Sequence, residues 1–191
     1  MKMFWMLCLV AMSTLCFAQS GGESAADTFW NNLQQHCGKS YIGHITTGAK
    51  VGDGFTGEPL VMQVLSCEKD RVRIPFYVGD DRSRTWVITR LADGRIRLKH
   101  DHRHADGSEE DVTQYGGAAT NHGFAELQMF PADAETAANI SYASTNVWWM
   151  TLDEKYFSYN LQRVGSDRVF TVVFDLGNAV EVNYRPWGWK D

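Results

Sequence analysis

Positive charge is in short supply in this chain. Lysine and arginine total 18 against 23 aspartates and glutamates, a formal net charge of −5. With no basic tail, that balance argues against nucleic acid or an anionic membrane surface as the main partner. Cysteine is scarce, at four, and two of these, Cys8 and Cys16, lie near the N-terminus. Beyond residue 18 no apolar run approaches the length of a membrane span. Several catalytic signatures are missing: Gly-x-Ser-x-Gly, His-Glu-x-x-His, a phosphate-binding loop and Gly-x-Gly-x-x-Gly. The sequence declares no reaction, and nothing in it selects a pair of carboxylates for glycoside hydrolysis.

The first eighteen residues read as a signal peptide. Lys2 forms a short positive start, Phe4 to Leu15 an apolar stretch, and Cys16-Phe17-Ala18 suits cleavage before Gln19. Cleavage as a lipoprotein would fall before Cys16, after Leu15, which is bulkier than such sites want. The expectation is a secreted or periplasmic, soluble protein whose residues 19–191 form one domain. Losing the leader removes one lysine, leaving 17 basic against 23 acidic side chains. Cys37 and Cys67 then remain, and an oxidising compartment allows them a single intramolecular pairing.

Along the mature chain, Asp27 can cap a helix that buries Phe29, Trp30, Leu33 and Cys37 and stops at Gly38. Alternating strand patterns follow, joined by short turns, with a loop expected over 115–123 and a short helix from Pro131 to Asn139. Pro75 lacks a ladder donor and predicts an edge or bulge. The fold class expected is mainly β: a single antiparallel barrel of about eight to nine strands, with an N-terminal helix and one short late helix.

Arg84 to Asp106 is the most informative stretch. Asp93-Gly94 suits a two-residue type I′ hairpin turn. That register pairs Val87 with His100 and Thr85 with His102, so Thr85, Val87, Thr89 and Leu91 share the inner face with Ile96, Leu98, His100 and His102. Arg84, Trp86, Ile88, Arg90, Arg97, Lys99, Asp101 and Arg103 would face out. A one-residue slip would turn cations inward and make an anion site, since arginine forks bind carboxylate and phosphate. His100, His102 and His104 recur every second residue, about 6.5–7 Å apart in a strand. Two or three such imidazoles can hold Zn or Cu, with His44, His122 or an acid as a further ligand. They can equally hydrogen-bond neighbours at a barrel rim, or line a site for an organic ligand with Thr85, Val87 and Thr89.

An opening helix followed by Trp30, Leu33, Gly38, Tyr41 and Gly43 resembles the calycin, lipocalin-like class of small-molecule-binding barrels. More of the chain resembles an uncharacterised family of exported bacterial proteins of similar length. The matching pieces are FWNNLQQHCGKSYIG, RIPFYVGDDRSRTWVITR, RIRLKHDHRHADG, Tyr115-Gly116-Gly117, FPADAE, Asn146-Val147-Trp148 and Pro186-Trp187-Gly188. This resemblance implies export and a single domain, and it carries no activity. Three functions follow as expectations: a barrel binding a small apolar or amphipathic ligand, a Zn- or Cu-dependent hydrolytic enzyme using His100, His102 and His104, or a cell-envelope interaction module.

Overall fold

The structure is a computed structural model that describes residues 22–190. The expected leader, residues 1–18, lies outside the described residues. Helix α1, Ala25–Gln34, starts one cap earlier than expected: Ser24, not Asp27, is the N-cap. Ser24 Oγ accepts from Asp27 N at 3.1 Å, and the Asp27 carboxylate accepts from Ser24 N at 3.2 Å, a reciprocal box that satisfies two helix-end donors. The helix buries Ala26, Phe29, Trp30 and Leu33 in the barrel core. Cys37, just past it, is disulfide-bonded to Cys67, 30 residues on.

Among the described residues eleven strands make one antiparallel sheet, more than the eight or nine expected. They are β1 Ser40–Thr47, β2 Leu60–Gln63, β3 Ser66–Cys67, β4 Arg71–Val78, β5 Asp81–Arg90, β6 Ile96–His102, β7 Tyr115–Ala118, β8 Leu127–Pro131, β9 Asn146–Leu152, β10 Tyr156–Arg163 and β11 Val169–Val180. Apart from the offshoot β3, neighbours in the sheet are neighbours in the chain, and β1 pairs with β11. The result is a nearly closed up-and-down barrel.

The seam falls between β7 and β8, where a loop was expected over 115–123. Glycine is poor in strands, but here it allows backbone to meet backbone. A side chain on Gly117 would put its Cβ 1.8 Å from Pro131 O. Helix α2, Ala134–Asn139, fastens the seam. Thr136 Oγ1 accepts from Gly116 N at 2.8 Å and donates to Gly116 O at 2.9 Å. Lys99 on β6 reaches Asp133 at 2.8 Å and Glu135 at 2.6 Å. Pro75 lies inside the sheet rather than at an edge, opposite the gap where β2 gives way to β3, so no partner needs its missing donor.

The central hairpin corrects the predicted register. Gly94 N donates to Leu91 O at 2.9 Å and Leu91 N to Arg95 O at 2.8 Å, so the loop holds three residues, with Gly94 at φ 81°. This is a type I turn closed by a glycine bulge, and it needs no positive φ at Asp93. The extra residue moves β5 by one: Trp86 faces His100 and Arg84 faces His102. Arg84, Trp86, Ile88 and Arg90 therefore share the inner side with Ile96, Leu98, His100 and His102. Thr85, Val87 and Thr89 share the other face with Arg97, Lys99 and Asp101. Burial of Trp86 and Ile88, 2% and 0% exposed, fixes that choice.

Candidate functional site

The two ends of the barrel differ. At one, Asp27 of α1 pairs with Arg90, and the apolar face of the helix fills the interior. Towards the other, the inward rows run out of apolar residues. Trp86 is followed by Arg84, His100 by His102, Leu161 by Arg163 and Phe170 by Arg168. A cavity of about 300 Å³ lies at this end.

Its floor is a hydrogen-bonded pair inside aromatic walls. His100, 3% exposed, has Nδ1 at 3.0 Å from Tyr115 O and Nε2 at 2.8 Å from Tyr159 Oη. A carbonyl only accepts, so Nδ1 carries the proton and Nε2 accepts from the Tyr159 hydroxyl. Desolvation holds the imidazole neutral, its pKa lowered to about 3. Burial likewise raises the Tyr159 phenol well above its usual range. Trp86 stacks on Tyr159 at 4.5 Å between ring centres, and Tyr115 on His100 at 4.4 Å. His102 sits higher, 3.1 Å from Tyr115 Oη and 3.5 Å from Glu110. Burial first, then the nearby Arg84, lower its pKa to about 4.

The rim is cationic. Arg84 pairs with Asp81 and lies 5.2 Å from the centre of Phe55. Arg163 and Arg168 face each other across the β10–β11 turn, with Arg163 N donating to Arg168 O at 2.9 Å. Arg163 Nε donates to Asn146 Oδ1 at 3.0 Å, and Arg168 lies over Phe170 at 5.8 Å. Among the described residues neither guanidinium has a carboxylate in ion-pair reach. Among the described residues no carboxylate lines the cavity.

The chain matches no protein-family model, no curated protein and no solved structure.

Of the predicted site residues, His100 and His102 border the cavity and His104 does not. His104 is exposed in the turn after β6, where its backbone is bonded to Ser108 and Gly107. His44 is exposed on β1, and His122 lies beside Gly94 at the stoppered end. No set of three or more histidines, cysteines or acids is gathered to hold a metal among the described residues. Both nitrogens of His100 are already engaged. Thr85 borders the cavity but points with Asp101 to the outer face, beneath the Pro186–Trp189 tail, while Val87 and Thr89 do not reach the cavity.

Sequence reasoning missed Arg163, Arg168, Tyr115 and Tyr159 as site residues, and it placed Arg84 inward only in the one-residue slip, which is the register β5 adopts. The signal for two of them was present. The inward alternation Phe157, Tyr159, Leu161 extends to Arg163, and Phe170, Val172, Phe174 extends back to Arg168.

Proposed function

We propose that this protein is an exported barrel that binds one small amphipathic molecule in the cavity at its open end. The observation that carries this reading is the cavity itself. Aromatic rings wall it, a neutral, internally satisfied His100–Tyr159 pair floors it, and arginines stand at its rim. Such a site takes up an apolar body without stranding a buried charge, and the rim orients the polar end. The Cys37–Cys67 bond and the apolar first eighteen residues support passage into an oxidising compartment.

Native mass spectrometry of the full chain, purified without a tag from the envelope fraction of the expressing cell, tests the binding. A bound organic mass in 1:1 ratio, lost when Tyr159→Trp fills the cavity, is the expected result. Only the bare chain mass, together with failure of apolar and amphipathic probes to bind, refutes the reading. Terminal sequencing of the same material should give Gln19 as its first residue; retention of residues 1–18 would contradict export by cleavage.

A further inference from the structure

We infer that the ligand is an anion, with a carboxylate, sulfonate or phosphate head held by Arg163 and Arg168 and its apolar body among the rings beneath. This inference rests on the cavity being a binding site and adds the charge of what it binds. Three observations carry it. The chain as a whole is acidic, 23 acids against 18 bases, yet the cavity lining holds Arg84, Arg163 and Arg168 and no acid. Arg163 and Arg168 are directly opposed on the inner face, an arrangement of like charges that destabilises a sheet unless something neutralises it. Their neighbours do not neutralise it: Arg163 spends one donor on the amide of Asn146, and Arg168 rests on the Phe170 ring. Arg84, by contrast, is neutralised by Asp81 and serves as the fixed third side.

The chemistry follows from geometry. A guanidinium presents a planar fork of donors that matches the oxygens of an oxyacid, and Arg163 and Arg168 both line the cavity. Aromatic walls below lower the local dielectric and strengthen that attraction once a ligand fills the cavity. An exposed arginine pair on an ordinary surface would be surrounded by counter-ions and by the acids that abound elsewhere in this chain. Here, among the described residues, the charged side chains that line the cavity are Arg84, Arg163 and Arg168, and of these Arg84 is paired with Asp81.

Two fluorescent probes of nearly the same shape separate this inference from the reading it rests on. 1-Anilinonaphthalene-8-sulfonate carries an anionic head; N-phenyl-1-naphthylamine lacks it. Titrated into the full-length mature protein at low salt, the sulfonate should bind about tenfold or more tightly than the neutral probe, the scale of a charge-assisted hydrogen bond. Arg168→Gln, alone and with Arg163→Gln, should bring the two probes within about threefold of each other by weakening only the sulfonate. Lys69→Gln, of equal charge change on an exposed turn, should leave the preference intact. Among the described residues the Arg168 side chain makes no hydrogen bond, so its single substitution keeps the test available if the double variant folds poorly. Equal binding of both probes to the native protein overturns the anion inference and leaves the cavity reading standing. A sulfonate preference that survives both arginine substitutions also overturns it. Binding of neither probe overturns both readings.

Discussion

Lowering the pH from 7.5 to 5 should remove about 4 kcal/mol of stability through the two cavity histidines alone. His100 and His102 are buried neutral, with pKa values lowered to about 3 and about 4 by desolvation. Both folded values lie below that of a free imidazole, about 6.5, so the unfolded chain takes up protons first as pH falls. The stabilisation is complete above about pH 6.5 and is withdrawn as pH drops toward the folded values. From 6.5 to 5 each imidazole contributes close to 1.4 kcal/mol per pH unit, or about 2 kcal/mol. The groups around them do not reverse this. Lys99 and Arg84 oppose protonation, and Asp81 favours it weakly at His102. Aspartates held low, such as Asp81 and Asp133, lose their contribution only below about pH 4, outside the window. His36, also lowered by burial, adds a common background that a comparison with a variant cancels. Urea unfolding at pH 7.5 and pH 5 is the assay. His100→Phe should cost stability at pH 7.5, because Tyr159 loses its partner, yet its loss on acidification should be smaller than that of the native protein by about 2 kcal/mol. An unchanged pH dependence in that variant, or an imidazole resonance of His100 titrating near pH 6.5, would refute the buried neutral pair.

Other outcomes follow from the same geometry. Tyr159→Phe leaves His100 Nε2 without its donor and should cost about 1–2 kcal/mol in urea unfolding, while a change under about 0.3 kcal/mol would deny that bond any weight. Gly117→Ala drives a methyl against Pro131 O in the seam and should lower the melting temperature by several degrees; an unaltered melt would mean that β7 and β8 stand further apart. Reducing the Cys37–Cys67 bond opens a 30-residue loop and should cost about 3.5 kcal/mol by the chain-entropy model, measured as the shift in urea midpoint with and without reductant. Added Zn²⁺ or Cu²⁺ should leave the melting temperature within about 1 °C, since His100 has no free nitrogen and His104 stands apart; a rise of several degrees lost in His100→Ala would contradict that.

Much of the barrel was legible because alternation in β4, β9, β10 and β11 is regular enough to show which side is wet. The disulfide was legible by elimination once the leader was set aside. What failed was parity at one turn. Asp93-Gly94 fits a two-residue and a three-residue loop equally well by composition, and the difference reverses every side chain of β5. Trp86 and Ile88 held the corrective signal: two large apolar residues assigned to water should have outweighed the turn preference. The two-residue turn instead predicts Thr85, Val87 and Thr89 inside, where the structure has Arg84, Trp86 and Ile88. The strand β6 was read correctly, so His100 and His102 faced the cavity as expected. The seam was illegible because Gly116 and Gly117 resemble a loop until the strand they must touch is known. The arginine rim was hidden for a related reason. A charged residue at the end of an apolar alternation reads as the point where the chain leaves the barrel, not as its mouth.

The claim on which the account depends is that a ligand lies within the open end, body down and charge up. A crystal structure with 1-anilinonaphthalene-8-sulfonate measures this directly. The account predicts rings packed between Trp86 and Tyr115, with sulfonate oxygens within hydrogen-bond distance of Arg163 or Arg168. Probe density beneath the Pro186–Trp189 tail or on the outer face, with the cavity filled only by water, would contradict it.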